Sequence, residues 1–302
     1  MSLRAAAVDI GTNSCRLLIG ERNQNSSLNI LARRLEITRL GEGVDQNKKL
    51  KAGAVERVYK ALKKFRAIID HYQVEKVRVI GTSALRDVDN AELLTDRLSE
   101  LDFELEVISG KKEAELNYKG AVSNLENNFL LIDIGGGSTE FIWSEDGEIK
   151  FKSLDIGCVR MTEKFVSAPE NQFKAEAAKN ITNYTADLLA ANLEFTGDFK
   201  IRGVGGTITT LASIRLGLKA FESSKIEDLK ITIEELENII SRLSKLNLKN
   251  RKKVIGLQPQ RADIIIAGLI ILKEILNYVD SNELSVSDQD LLYGLVKEEL
   301  NR

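Results

Sequence analysis

Two short stretches bring together residue types that handle phosphate. DIGTNS at residues 9–14 and DIGGGSTE at residues 133–140 each combine an aspartate, a glycine-rich turn and hydroxyl side chains. Runs that read as strand flank both: Leu3 to Ile10 and Cys15 to Glu21 around the first, 129–134 and 139–144 around the second. Glycine inside a strand is costly unless the backbone must turn tightly or something must approach it closely. With side chains removed, backbone amides converge on a small concavity that can hold phosphate oxygens. Ser14, Ser138 and Thr139 add hydroxyl donors. Asp9 and Asp133 end their strands at the turn, placed to bind a cation directly or through water. Dinucleotide folds and P-loops put such glycines between a strand and a helix, whereas here they join strand to strand as hairpins. One such loop alone reads equally well as a bare tight turn, and two of them favour the phosphate site. GVGGTITT, from Gly203, is a third loop, between a strand and a helix. Its amides, with Gly206 and the Thr207 hydroxyl, suit an anion at a helix N-terminus. The alternative there is a plain glycine-rich connector.

The elements that must position these loops repeat. Asp133 lies 124 residues after Asp9, and Gly205 lies 124 after Gly81. VDIGTNSCRLLIGE thus aligns with IDIGGGSTEFIWSE, and VRVIGTSALR with IRGVGGTITT. Two matches at one offset predict a duplicated domain. The boundary is expected in the polar stretch NLENN, 124–128, giving domains 1–125 and 126–302, with the last helix packing back on the first. Each half reads as three strands, then helix, strand, helix, strand, helix, an α/β layout. Leu28 to Leu35 is the expected third strand, and Val55, Val58, Leu62, Phe65, Ile68, Ile69 and Tyr72 recur at helical spacing. Thr232 with Glu235 is a capping-box pattern. Pro259 suits the first turn of one long helix to about Val279.

The chain has 302 residues, 43% hydrophobic and 29% charged, with formal net charge −2. That balance describes a globular protein, and predicts no nucleic-acid binding by itself. No apolar run reaches membrane-span length and the N-terminus enters strand-like sequence directly, so a cytoplasmic protein with no membrane partner is expected. Cys15 and Cys158 read as reduced thiols, and the single histidine, His71, excludes a site built on several histidine ligands. Basic residues cluster at Arg33, Arg34 and Arg39, at Lys48, Lys49 and Lys51, and at Lys249, Arg251, Lys252 and Lys253. A polyanion could run along them, although ordinary solvated charge is the commoner reading.

VDIGTNSCRLLIGE, GTSALRD, ISGKKEAEL, IDIGGGSTE, VGGTITTLA and RADIIIAG, in that order, resemble the signatures of the exopolyphosphatase / guanosine pentaphosphatase (Ppx/GppA) phosphatases. These belong to the actin-like, sugar-kinase and heat-shock-ATPase superfamily. The resemblance implies two duplicated ribonuclease-H-like domains with the active site in the cleft between them, and a hinge near 122–129 and the last helix. It implies hydrolysis of terminal phosphate from polyphosphate, or of the γ-phosphate of guanosine pentaphosphate, with Mg²⁺ or another divalent cation, and homodimers among its members.

Residue by residue, Glu113 matches the second glutamate of the family's S-G-x-E-E-A segment and would orient and deprotonate water, while Lys112 replaces the first. From its position alone Glu113 reads first as a helix N-terminal charge favoured by the dipole, and only the resemblance makes it the base. Arg86 would pair with phosphate oxygens, its alternative being a solvated arginine. Asp133 and Glu140, with Asp9 as a lesser candidate, would hold the metal. Thr12, Asn13, Ser14, the amides of Gly135, Gly136, Gly137 and Gly206, Ser138 and Thr207 would cradle phosphate. SDQDLLYG departs from the family's S-D-x-G-L-R-E-G at Asp290 and Tyr293. Other classes consistent with the fold are an ATP-dependent kinase and a nucleotide-sensing protein without turnover.

Overall fold

The computed structural model describes residues 3–22, 28–121, 128–145, 147–195 and 198–302. The chain forms two compact units, Met1–Ser123 with Gln289–Arg302, and Asn124–Asp288. The boundary expected in NLENN and the hinge expected from 122 onward fall mainly on 122–127, outside the described residues.

The first unit has strands β1 (Arg4–Ile10), β2 (Ser14–Arg22), β3 (Leu28–Ile37), β4 (Lys76–Gly81) and β5 (Leu105–Val107). Its helices are α1 (Val44–Asn47), α2 (Ala52–His71), α3 (Ser83–Arg86), α4 (Glu92–Ser99) and α5 (Gly110–Ala121). The strands form one sheet in the order β3-β2-β1-β4-β5, antiparallel through the hairpins and parallel between β1, β4 and β5. A central strand buries both faces, and alternation sorts them. Val8, Ile10, Leu17 and Ile19 pack with Val58, Leu62 and Phe65 of α2. Ala5, Ala7 and Leu18 face the other way, against Leu116 of α5. Asp9 and Arg16, opposite one another across β1 and β2, belong to that second face.

The second unit has β6 (Phe129–Ile134), β7 (Thr139–Glu145), β8 (Glu148–Leu154), β9 (Lys200–Val204), β10 (Lys230–Thr232) and β11 (Glu283–Val286). Its helices are α6 (Cys158–Phe165), α7 (Ala175–Asn192), α8 (Gly205–Leu216), α9 (Ser223–Ile226), α10 (Ile233–Ser244), α11 (Leu248–Arg251) and α12 (Ile265–Tyr278). The sheet order β10-β11-β9-β6-β7-β8 repeats the first sheet's plan, with β10 added at the edge. The Thr232–Glu235 capping box starts α10.

The single long helix expected from Pro259 is instead a 3-10 turn, Pro259–Arg261, followed by α12. Arg251 gives the reason. Its buried guanidinium takes the carbonyl of Ala262 at 2.9 Å, an acceptor that a continuous helix would need for its own ladder.

The last helix, α13 (Leu291–Asn301), follows β11 in sequence but belongs to the first unit. Leu291, Leu295 and Val296 cover the Ala5–Ala7 face beside α5. The crossing is close: a Cβ on Gly120 would lie 2.0 Å from the Asp290 carbonyl oxygen, and one on Gly294 would lie 2.1 Å from that of Leu116. Glu298 fastens it further, accepting from Lys119 (2.5 Å), Arg78 (2.8 Å) and Lys112 (3.2 Å). Among the described residues no helix is long and apolar enough to cross a membrane.

Candidate active site

The two hairpin turns are built alike. In each, the first glycine amide closes the turn: Gly11 N–H donates to Ser14 O at 3.0 Å, and Gly135 N–H to Ser138 O at 2.9 Å. In each, the segment after the third strand holds the turn's carbonyls. Asn13 O accepts from the amides of Thr38 and Arg39 (3.0 and 2.9 Å), and Thr12 O from Gly41 (2.8 Å). Gly135 O accepts from Cys158 (3.0 Å) and Gly136 O from Val159 (2.8 Å), both at the start of α6, while Arg160 Nε reaches Gly137 O at 2.8 Å. Within a planar trans peptide the N–H points opposite to the C=O. Pinning these carbonyls therefore turns the amides of Asn13, Gly136, Gly137 and Ser138 to the other side. None of the four donates to a backbone acceptor among the described residues. Glycine is required behind the second turn: a Cβ on Gly157 would sit 2.4 Å from the Gly136 carbonyl.

The acidic residues at the two turns differ. Asp9 faces Arg16, whose Nε and Nη2 reach Asp9 Oδ2 at 2.9 and 2.7 Å. Arg16 Nη1 also donates to Asp290 Oδ2. Asp9 Oδ1 and Asn13 Nδ2 are buried with no hydrogen-bond partner among the described residues. Burial pushes the Asp9 carboxyl upward, against the pull of Arg16. Asp133 instead faces Glu140 directly across β6 and β7, which puts both carboxylates on one face of the hairpin. They are 6% and 1% exposed. Ser153 Oγ donates to Glu140 Oε1 at 2.8 Å. Asp133 lies against Gly205 at the start of α8, where a Cβ would be 2.0 Å from its Oδ1. Gly205 has φ +82°, a conformation open to glycine.

Glu113 is 7% exposed in the first turn of α5. Ser109 caps that turn by accepting the Lys112 amide at 3.2 Å. Arg86, the last residue of α3, spends Nη1 on the Ile108 carbonyl (3.0 Å) and on Glu113 Oε2 (2.8 Å). The structure thus brings Arg86 and Glu113 together, and brings Asp133 and Glu140 together. Asp9 is set apart by its arginine. Lys112 reaches Glu298 of α13 at 3.2 Å.

At the third loop, the Thr207 hydroxyl donates to the Ile134 carbonyl at 3.1 Å, so its proton is spent tying α8 to β6. Sequence reasoning missed Arg261. Its guanidinium lies against Gly206, where a Cβ would be 2.1 Å from Nη1, and the residue is 6% exposed. RADIIIAG held the signal, an arginine on a proline turn matched to a glycine. Arg251 is a correction to the basic clusters: it is 1% exposed and donates to the carbonyls of Leu243, Leu246, Asn171 and Ala262. Lys249, Lys252 and Lys253 remain exposed. Both cysteines are buried and free, and burial pushes the Cys15 thiol to about 12.

Residues 18–302 match the Ppx/GppA phosphatase family. The chain belongs to that family. It is 41% identical to the bifunctional 3-dehydroquinate synthase/phosphatase of Fusobacterium nucleatum, over 97% of this chain and 46% of that protein. The chain therefore spans about half the length of that relative. It is 32% identical to exopolyphosphatase 2 of Mycobacterium tuberculosis, over 97% of both chains. The crystal structure of an exopolyphosphatase from Cytophaga hutchinsonii superposes with a TM-score of 0.88 at 28% identity, covering 99% of this chain and 98% of that one. This Ppx/GppA protein shares that fold over 99% of its chain.

Proposed function

We propose that this protein releases terminal phosphate from inorganic polyphosphate by Mg²⁺-assisted attack of water. Ppx/GppA members are phosphoanhydride hydrolases, and the end-to-end relative named an exopolyphosphatase supports the choice of substrate. The observation that carries the reading is the Arg86–Glu113 pair. A buried carboxylate at a helix start is held in one orientation by a guanidinium whose Nε and Nη2 donate to no described residue. Those donors suit phosphoryl oxygens.

Water attacks the terminal phosphorus, the bridging P–O bond breaks, and its electron pair leaves with the shortened chain. Glu113 orients that water and receives its proton. The loose transition state of phosphoryl transfer asks more for positioning and charge stabilisation than for early proton removal. Arg86 fixes Glu113 and neutralises charge on the equatorial oxygens. The amides of Asn13, Gly136, Gly137 and Ser138 receive the phosphates of the chain, with Ser14, Thr12 and the α8 start at Gly206 completing the cradles, while Gly135 and Thr207, whose donors are committed to Ser138 and Ile134, shape them.

Asp133 and Glu140 fit a divalent cation: two carboxylates buried side by side offer hard oxygen ligands and favour a positive charge between them. Among the described residues no three or more such side chains gather as a ready metal cluster, so water and phosphate oxygens would complete the shell. Asp9 offers only Oδ1, since Oδ2 is committed to Arg16. A bound Mg²⁺ supplies neutralisation of phosphate oxygens.

The test is phosphate release from polyphosphate and from guanosine pentaphosphate, side by side, with and without Mg²⁺. Faster, Mg²⁺-dependent release from polyphosphate is expected. Faster release from the guanosine substrate would keep the mechanism and replace the substrate, and no release from either would overturn the reading.

A further inference from the structure

The first turn of α13 holds a group that the proposed chemistry does not use. Asp290 is 5% exposed. Its Oδ1 accepts the Leu292 amide at 3.1 Å, which makes it the N-cap of α13. Its Oδ2 accepts Arg16 Nη1. Arg16 is therefore claimed from both sides, by Asp9 through Nε and Nη2 and by Asp290 through Nη1. Two carboxylates thus share one guanidinium, beside the turn whose Asn13 amide donates to no described backbone acceptor. Three residues on, Tyr293 lies under another arginine of the same sheet: Arg33 of β3 is 5.2 Å from its ring centroid.

We infer that Asp290 sets the anion affinity of the first hairpin, as an internal carboxylate that occupies Arg16 and that substrate phosphate must outcompete. The inference rests on the proposed phosphohydrolase reading. The physical logic is competition for a fixed donor set. Arg16 is rigidly held by Asp9, and its Nη1 edge is the part that Asp290 takes. A phosphate oxygen suits that edge as well as a carboxylate does, because both accept charge-assisted hydrogen bonds from guanidinium. A chain of several phosphates brings more charge to the contest than one orthophosphate. Asp290 thus favours multivalent substrate over the released product. It is an affinity-setting residue and touches none of the reacting atoms.

Asparagine at 290 separates charge from structure, since it caps helices as well as aspartate does. The probe is tripolyphosphate, titrated calorimetrically into the full chain as wild type, Asp290→Asn, Arg16→Gln and the double variant. Asp290→Asn should bind about three- to tenfold more tightly than wild type, and the gain should be lost in the Arg16→Gln background. Asp290→Ser, also a good cap, should reproduce the gain and serves if the asparagine variant misfolds. Unchanged or weaker binding in a folded variant overturns the inference, as does an equal gain with and without Arg16. Binding by wild type without a gain removes this inference alone. No binding by wild type or by the variants removes it together with the proposed function.

Discussion

The two hairpins share a backbone and differ in charge. Both turns close through a glycine amide, and both have their carbonyls pinned from the segment after the third strand. The residue facing the strand-end aspartate is what changed. Arg16 faces Asp9, while Glu140, 124 residues later, faces Asp133. The turn's backbone bonding occurs twice, and one facing side chain sets the two apart. The first hairpin sets a guanidinium against its aspartate, and Asp290 shares that guanidinium. The second carries two carboxylates and suits a cation. Substitutions can break this contrast or sharpen it.

Between the hairpins, the largest effect is expected at Glu140. Glu140→Gln keeps shape and removes one of the two opposed charges. Phosphate release should fall about 10²-fold or more, with half-activation shifted to higher Mg²⁺. A Mg²⁺ titration of initial rates checks this, and an unshifted curve would take Glu140 out of the cation site.

The next contrast lies behind the turns. A methyl on Gly157 meets Gly136 backbone at 2.4 Å, whereas one on Gly41 meets the Thr12 methyl at 2.3 Å. Backbone cannot step aside and a side chain can rotate. Gly157→Ala should cost about 2–3 kcal/mol and Gly41→Ala about 1 kcal/mol or less, by denaturant unfolding. Equal costs would mean that the pinning of the two turns is not as different as their packing suggests.

A smaller effect than that at Gly157 concerns the fastening of α13, which carries Asp290 to the first hairpin. Burial alone would raise the Glu298 carboxyl, but hydrogen bonds from Lys119, Arg78 and Lys112 override it and bring it down to about 2 from an ordinary 4.5. A depressed carboxyl stabilises the fold above its unfolded value, and that stability is lost as pH falls from about 4.5 towards about 2. Glu298→Gln should cost about 1–2 kcal/mol at neutral pH after allowance for solvent screening. The gap to wild type should close as the solution is acidified through that window. A gap independent of pH would assign the loss to packing.

Much of the fold was legible in the sequence. The glycine loops and their constant offset are local identities, and local identities survive in a sequence. The run Leu3 to Ile10 likewise reads as a strand, and β1 spans Arg4–Ile10. What could not be read is pairing across register. Arg16 looked like any strand arginine, because its partners Asp9 and Asp290 are set by a hairpin and by a helix 274 residues further on. Arg251 looked like one of a solvated cluster because its function is to satisfy four carbonyls that only folding gathers. The same guanidinium breaks the helix expected from Pro259, and that turn places Arg261. β10 spans three residues, too few for a periodic signal.

The central claim is that Glu113 positions and deprotonates the attacking water. Its most direct test is single-turnover phosphate release from polyphosphate at saturating Mg²⁺ by Glu113→Gln, with tripolyphosphate binding measured on the same preparation. The account predicts release slowed by about 10²- to 10⁴-fold with binding retained. Release within about threefold of wild type, a loss too small for a group that handles the reacting proton, would contradict it.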